Sequence, residues 1–318
     1  MRIGIPEGLL YHRYKPFVNC FIDELGMDAV FSGPSNHEML EEGIRTCVDE
    51  ACLPIKIFHG HVSKLRKECD KIVVPRLMKC EFGDSICPKF AGLPELVRSG
   101  SGKDDLIFTE PLFLNNKKKL QQTLVKEANA LGINTGKAKK AFMIAYEHSK
   151  QKDKPEGSYL IEVKQKSEVI KKCPVVALLG HPYNTMDPFI NMNITDKLQR
   201  LGVQVVLGNK IFPAQKSNKF DELMKKPYWR FFRDNYGTAG NLVKGNSVDG
   251  IIYVSSFNCG TDSFTIEMIR NKIGDFPMLV LKLDEHTGEA GFNTRIEAFT
   301  ELLERRKEYE DYLSEVGE

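Results

Sequence analysis

Cysteine is the residue type with the clearest capacity for chemistry in this 318-residue chain, which contains eight of them. Five lie close together in the sequence: Cys47, Cys52, Cys69, Cys80 and Cys87. Thiolates bind soft metals and act as nucleophiles. Disulfides are not expected, because the chain shows no export signal that would take it to an oxidising compartment. The cysteines therefore predict either a metal site or thiol chemistry.

The elements that would position these cysteines alternate between short β-rich runs and amphipathic stretches. This alternation is typical of βαβ units, and it predicts an α/β fold with two Rossmann-like, doubly wound parallel-sheet lobes and a cleft between them. We place the N-terminal lobe with a helical, lysine-rich connector at 1–172, and the C-terminal lobe with a final helix at 173–318. The predicted strands are 2–5, 28–31, 71–74, 106–109, 175–179, 203–207, 250–255 and 278–283. The predicted helices are 14–25, 36–46, 53–68, 116–152, 190–201, 220–243, 262–272 and 293–315.

Charge gives no reason to expect a nucleic-acid or membrane partner, since 45 basic residues balance 43 acidic ones. The first residues do not read as a signal peptide, and no apolar run approaches the length of a membrane span. We therefore expect a cytoplasmic protein. Residues 111–172 contain 14 lysines and six acidic residues. They fit either a solvated helix surface or a docking face for an acidic partner, and the long helices make a homodimer plausible.

Topology sorts the cysteines, because ligands of open α/β sheets bind at the carboxyl edge. Cys52 begins the helix before strand 71–74, and Cys259 follows strand 250–255. Applied to all eight, this argument selects Cys47, Cys52, Cys80, Cys87 and Cys259. If the carboxyl edges of the two lobes face each other, these thiols converge on one cleft.

The spacing of the cysteines bears on the metal. Structural zinc sites usually show two tight Cys-x2–4-Cys pairs, whereas this chain has Cys-x4-Cys and Cys-x6-Cys. Thiolates drawn from several loops suit an iron–sulfur cluster better. Zinc, or unliganded thiols that include a catalytic cysteine with a histidine partner, are the alternatives.

Five segments together resemble the 2-hydroxyacyl-CoA dehydratase superfamily. They are VDEACLPIKIFHGHV (48–62), CPKFAGLPE (87–95), LLGHPYNTMDPFIN (178–191), SSFNCGTDSF (255–264) and LDEHTGEAGFNTRIEAF (283–299). The chain is most similar to its stand-alone, activase-related ("CoA-substrate-specific enzyme activase") components, which include proteins like the double-cubane-cluster proteins. The resemblance implies two Rossmann-like lobes that hold a [4Fe–4S] or double-cubane [8Fe–9S] cluster. It also implies anaerobic chemistry and a separate ATP-dependent activase that supplies a low-potential electron.

Carried over motif by motif, the resemblance implies that Cys52, Cys87 and Cys259 are the best ligands, with Cys47 and Cys80 as weaker candidates. At Ala91, by this resemblance, some relatives carry another cysteine, and Cys80 could compensate. No P-loop is present, so any ATP hydrolysis is expected from the partner activase.

Polar residues follow two strands of the second lobe and are candidates for the surroundings of a substrate or cluster. His181, Tyr183 and Asn184 follow strand 175–179. They form either a proline-bearing turn or contacts to substrate and cluster sulfides.

The second group of candidates is Asp284, His286, Thr287 and Glu289, after strand 278–283. Thr287 could cap the last helix, and His286 could relay protons. In the first lobe, Arg76 could neutralise a cluster or an anionic substrate, or form an ordinary ion pair.

The leading hypothesis is an iron–sulfur protein that performs low-potential one-electron transfer or reduces a small substrate. The alternatives are a 2-hydroxyacyl-CoA dehydratase subunit and a non-catalytic carrier of a cluster or zinc.

Overall fold

The computed structural model describes residues 1–81, 84–100, 104–152, 173–208, 223 and 227–316. These residues form two compact units. The first contains the described residues up to 152 together with Tyr228–Arg230, and the second contains the remaining described residues from 173 onward. The α/β class is confirmed, because each unit has a parallel sheet flanked by helices.

The first unit has a four-stranded parallel sheet in the order β2-β1-β3-β5 and a small parallel pair, β4 with β6. Its strands are β1 (Arg2–Ile5), β2 (Asp28–Phe31), β3 (Lys71–Val73), β4 (Arg76–Lys79), β5 (Leu106–Ile107) and β6 (Pro111–Phe113). Its helices are α1 (Tyr11–Leu25), α2 (His37–Thr46), α3 (Leu53–Leu65), α4 (Leu93–Ser99), α5 (Lys117–Ala130) and α6 (Thr135–Lys152), with a short 3₁₀ helix at Pro88–Phe90.

The boundaries of these helices follow from local chemistry. Helix α1 ends at Gly26, whose φ of 62° is a left-handed conformation that glycine adopts at little cost. Helix α2 begins after Asn36, whose side chain accepts a hydrogen bond from the Met39 amide. Helix α3 begins after Cys52 and has Pro54 in its first turn, where a missing amide donor costs nothing.

The second unit has a four-stranded parallel sheet in the order β10-β9-β7-β8. Its strands are β7 (Val175–Gly180), β8 (Gln204–Leu207), β9 (Gly250–Ser256) and β10 (Met278–Leu283). Its helices are α7 (Pro182–Thr185), α8 (Ile194–Arg200), α9 (Arg230–Lys244), α10 (Gly260–Ile273) and α11 (Glu289–Val316). Strands β7 and β9 are buried along their whole length and form the centre of the core.

Strand order places a topological switch point between β7 and β9. The chain passes from β7 to β8 on one side and then returns to β9 on the other side of β7. In open parallel sheets, the crevice for a ligand lies outside the carboxyl ends of the strands at such a point. In the first unit the equivalent point lies between β1 and β3, because β2 and β3 flank β1.

Several predicted elements differ from the observed ones. The connector helix 116–152 is two helices, α5 and α6, separated at residues 131–134, where Gly132 has a φ of 82°. Strand 106–109 ends at Ile107, because Phe108 turns to a φ of 58°. Strands β4 and β6 were not predicted, since each is short and adjoins a proline.

In the second unit, the predicted helix 190–201 is shorter, at Ile194–Arg200, and Pro182–Thr185 forms a separate helical turn. The predicted helix 220–243 is observed from Arg230, and its earlier part falls mostly outside the described residues. Residues 153–172, the second part of the lysine-rich connector, also lie outside them. None of the helices in the described part of the chain is both long and apolar enough to cross a lipid bilayer.

Candidate functional site

The second unit carries a compact site at its switch point. His181 directly follows β7 and precedes helix α7, while Cys259 follows β9 by three residues and begins helix α10. Because β7 and β9 are neighbouring parallel strands, their ends bring these two side chains together. Asp262, in the first turn of α10, completes the group.

Among the residues that the structure describes, His181, Cys259 and Asp262 form the one group of three His, Cys, Asp or Glu side chains whose ligand atoms lie within 4.8 Å of one another. His181 Nδ1 lies 3.1 Å from Asp262 Oδ2. The Tyr253 hydroxyl donates to the other carboxylate oxygen at 2.7 Å, and the side chain of Ser255 also hydrogen-bonds to Asp262. A fully buried carboxylate is thus surrounded by donors.

Burial and charge oppose each other at this pair. Burial alone would raise the pKa of Asp262, but the charge of His181 and the surrounding donors lower it below its ordinary value. Burial would likewise lower the pKa of His181, but the Asp262 carboxylate and the sulfur of Cys259 raise it to about 10. The pair is therefore an imidazolium–carboxylate ion pair at neutral pH. Burial and the neighbouring carboxylate raise the pKa of Tyr253, which remains a neutral donor.

Packing fixes the orientation of the His181 ring. The ring stacks on Tyr183 with centroids 4.9 Å apart and meets the edge of Phe231 at 5.0 Å. Asn184 accepts a hydrogen bond from the Ser256 hydroxyl at 2.9 Å and donates to the Val254 carbonyl, so it ties the turn to β9. Both predicted neighbours of His181 thus help to hold the turn in place.

Gly180 lets β7 and β9 approach closely just before His181. Its φ of 142° disfavours any side chain, and a Cβ there would collide with the Val254 carbonyl oxygen. The backbone amide and carbonyl of Gly180 are both hydrogen-bonded by Asn235, at 3.1 and 3.2 Å. These contacts fix the backbone of Gly180, and they therefore fix where His181 begins.

The backbone before Cys259 is a sharp turn. Asn258 has a φ of 62°, a left-handed conformation that asparagine tolerates better than most residues. The Cys259 sulfur is half-buried, lies 3.2 Å from the Thr261 hydroxyl, and sits at the N-terminal end of the 14-residue helix α10. The positive end of a helix dipole stabilises a thiolate at that position.

In the first unit, Cys52 occupies the corresponding place at the start of the 13-residue helix α3. The Lys89 ammonium lies 4.0 Å from its sulfur. Burial raises the pKa of Cys47, while the nearby Val48 amide, Lys56 and Lys89 act in the opposite direction. Because Lys89 is two residues after Cys87, these contacts bring the segments that carry Cys47, Cys52 and Cys87 into one neighbourhood.

Cys80 has a different environment from the other candidates. It is buried, and burial together with Glu81 raises its pKa to about 12, against the opposing effects of Arg13, Arg230 and Tyr14. This environment favours the neutral thiol over the thiolate that binds metal.

Arg76 forms an ion pair with Glu95 and donates hydrogen bonds to the carbonyls of Ala91 and Thr109. Of the two roles that the sequence left open, the ion pair is the one observed. This arrangement links β4 to the segment just after Cys87.

The residues after β10 form a local turn. Thr287 donates to the Asp284 carboxylate at 2.8 Å and accepts from the Asp284 amide at 2.9 Å. His286 is exposed, and Glu289 pairs with Lys197 at 2.7 Å. These contacts are those of a solvent-facing turn, and the proton-relay role of His286 remains a prediction.

Residues 2–211 match the family described as CoA enzyme activase uncharacterised domain (DUF2229). The chain belongs to this family. No curated protein matches it. Among solved structures, the chain is similar to the C-terminal domain of glucosamine-fructose-6-phosphate aminotransferase from Francisella tularensis, at 12% identity over 96% of this chain and 82% of that chain. The TM-score of this match is 0.26.

The match to the CoA enzyme activase domain includes the first-unit cysteines and His181, and it ends before Cys259 and Asp262. Sequence reasoning identified His181 and Cys259 but missed Asp262 and Tyr253. One signal was present for Asp262, because it follows Cys259 by three residues at the start of a helix, and residues three apart on a helix are neighbours.

Proposed function

We propose that this activase-family chain is an iron–sulfur protein that transfers single electrons at low potential. The observation that carries the proposal is the placement of cysteine thiols at the N-terminal ends of helices α3 and α10, each at the carboxyl edge of a parallel sheet. Helix N-termini stabilise anions, and a thiolate-ligated cluster is anionic.

The donor set fits such a cluster. Cys52, Cys87 and Cys259 are the first candidates to hold it, and Cys47 is the next. The Lys89 ammonium beside Cys52 offsets negative charge on the sulfur. Cys80 would have to give up a buried, neutral state, so we rank it last. The cluster, [4Fe–4S] or double-cubane [8Fe–9S], would supply the one-electron chemistry.

The electron donor in this proposal is a separate ATP-dependent activase, and the acceptor is a small molecule. The family description, CoA enzyme activase uncharacterised domain, supports this context. A 2-hydroxyacyl-CoA dehydratase subunit and a non-catalytic carrier are further expectations from the resemblance. Turnover of a CoA ester would favour the first, and transfer of the metal centre to an acceptor protein would favour the second.

A second candidate function is thiol catalysis at Cys259, and the Cys259–His181–Asp262 geometry favours it. In such a site the cysteine attacks an electrophilic carbon, the histidine accepts the proton of the thiol, and the acid orients the histidine. Trapping of a covalent adduct on Cys259 by a carbonyl substrate would support this function.

Anaerobic purification followed by iron and acid-labile sulfide analysis tests the main proposal. We expect about four irons per chain for one cubane or about eight for a double cubane, and a paramagnetic signal after reduction. A colourless protein that holds neither element after reconstitution would contradict the proposal. Zinc in place of iron would identify a structural thiolate site instead.

A further inference from the structure

We propose that copies of this chain associate through two helical surfaces of opposite charge, the outer face of α6 in one copy against the last turns of α11 in the other. We name the first surface the basic face, which comprises Lys137, Lys139, Lys140, Met143 and Ile144. The second is the acidic end, residues 308–316. The inference goes beyond the proposed function and does not depend on a metal centre.

The basic face belongs to a pair of helices with a strong excess of positive charge. Residues 117–150 contain eight lysines and two glutamates, whereas the whole chain has 45 basic and 43 acidic residues. Both glutamates are engaged inside the first unit. Glu127 accepts hydrogen bonds from the amides of Phe108 and Glu110, and Glu147 pairs with Lys117. Most of the positive charge is therefore not offset within these two helices.

The outer face of α6 combines this charge with exposed apolar side chains. Its inner face is buried and contains Ala138, Ala141, Phe142 and Ala145. On the opposite side, Lys139 and Lys140 are exposed and pair with no carboxylate that the structure describes. One turn later, Met143 and Ile144 are 41% and 36% exposed. Exposed apolar groups rimmed by charge are typical of a surface that binds another protein.

Helix α11 is packed along only part of its length. Its first turns are held by a buried stripe of Phe292, Ile296, Phe299 and Leu303. Lys307 then donates a hydrogen bond to the Cys173 carbonyl at 3.1 Å and lies 3.3 Å from the Asp249 carboxylate. After Lys307, every residue of α11 whose burial the structure describes is exposed. The acidic end therefore packs against no described part of the core.

The acidic end nevertheless has the pattern of a helix that packs. Tyr309, Tyr312, Leu313 and Val316 follow the spacing i, i+3, i+4, i+7, and each is more than half exposed. Residues at this spacing form one continuous apolar face, and short helices depend on the packing of such a face for their stability. Residues 308–316 also contain four acidic residues and no basic one. The segment therefore fits a partner that is both apolar and basic.

A second copy of the chain is the partner that fits both surfaces. One contact would cover apolar groups of each surface and bring Lys139 and Lys140 against Glu308 and Asp311. Contacts of α6 with α6, or of one acidic end with another, would bring like charges together instead. Nucleic acid or an anionic membrane would attract the basic face but repel the acidic end. Charge complementarity thus favours association between copies.

Sedimentation of the full chain over a range of concentrations tests the inference. Because the two surfaces differ, the contact produces either reciprocal dimers or an open series of copies, and both raise the average mass with concentration. Few large side chains take part, so we expect a dissociation constant on the order of micromolar. Added salt should weaken the association, since the charges are exposed. A monomer at every concentration would overturn the inference.

Charge reversal identifies the surfaces. We expect Lys139→Glu with Lys140→Glu to weaken association at least about tenfold, and Glu308→Lys with Asp311→Lys to do the same. An equimolar mixture of the two double variants should regain association, because the unchanged basic face of one matches the unchanged acidic end of the other. Loss in neither variant, or no recovery in the mixture, would contradict the proposed contact. Thermal melts establish that each variant is folded.

Lys67→Glu with Arg270→Glu is the matched control. Both side chains are more than half exposed, one in each unit, and the change in net charge equals that of the first double variant. We expect it to change the dissociation constant by less than about twofold. Cross-linking of mixed light and heavy isotope-labelled chains should join α6 of one label to α11 of the other. Links that form only within one chain would overturn the inference, whatever the iron content of the protein.

Discussion

The two units of this protein use the same strand order to position a cysteine but surround it differently. In both, the chain runs from a central strand to one neighbour and then to the other side, which gives the orders β2-β1-β3-β5 and β10-β9-β7-β8. Cys52 has a partly exposed lysine beside it, whereas Cys259 has a buried imidazole tied to a buried carboxylate. One fold can thus place either an adjustable surface cation or a rigid internal pair beside a cysteine.

The largest expected effect comes from removing a proposed cluster ligand in either unit. Cys52→Ser and Cys259→Ser should each abolish stable incorporation of iron, because a cluster that loses a thiolate ligand loses a main source of its affinity. Iron and sulfide content after anaerobic reconstitution measures this loss. Cys69→Ser is the control, since Cys69 lies between α3 and β3 and should not affect the metal content. Full loading of Cys259→Ser would restrict the metal site to the first unit.

A large effect on stability is expected from Asp262→Ala. This change removes the carboxylate to which His181 and Tyr253 hydrogen-bond, and breaking a buried pair in this way costs about 3–5 kcal/mol. Urea unfolding of the metal-free chain at neutral pH measures the free energy of unfolding. Glu289→Ala, which breaks the exposed pair with Lys197, should cost at most about 1 kcal/mol. Equal losses in the two variants would contradict the difference between buried and exposed pairs.

The next largest effect is expected in the pH dependence of the free energy of unfolding, to which His181 in the second unit should contribute. The pKa of His181 is raised from 6.5 to about 10, so its contribution is fully present below pH 6.5 and is lost as the pH rises toward 10. Over that interval, the free energy of unfolding of the metal-free chain should fall by up to about 1.4 kcal/mol per pH unit. His181→Gln should reduce this slope. A wild-type slope equal to that of the variant would argue against the ion pair.

The smallest effect is expected at Lys89. Lys89→Met removes a cation at the partly exposed Cys52, and exposed charge interactions are weak, so alkylation of Cys52 should slow by roughly two- to threefold. Added salt should reduce the difference between wild type and variant, because it screens exposed charges. Lys126→Met, at a lysine paired with Glu110, is the control. A tenfold effect that is insensitive to salt would place Cys52 in the same class as Cys259.

Much of the fold could be predicted because its signals are local. Strands β1, β2 and β10 were predicted with their observed ends, and β7 and β9 to within one residue, since continuous apolar runs between turn residues mark buried strands. The small sheet of β4 and β6 could not be predicted, because three or four residues beside a proline are too few to show the alternation of apolar and polar residues that indicates a strand.

The candidate site was predicted only in part, for a physical reason. Helix starts and strand ends are visible in a sequence, so Cys52, Cys259 and His181 could be placed at carboxyl edges. Burial of a carboxylate cannot be inferred in this way, because aspartate is normally exposed and the partner of Asp262 lies 81 residues earlier. Tyr253 was hidden in an apolar strand whose two faces are equally buried.

The close approach of β7 and β9 at Gly180 has a consequence for engineering. Any side chain at this position would press against the carbonyl of Val254 and force the two strands apart, and the turn that carries the imidazole would move with β7. In a library randomised at residue 180, selection for an intact protein should therefore return glycine alone. Redesign is better directed to the exposed side chain of Phe257, the first residue after β9, which offers a surface that can change without forcing the strands apart.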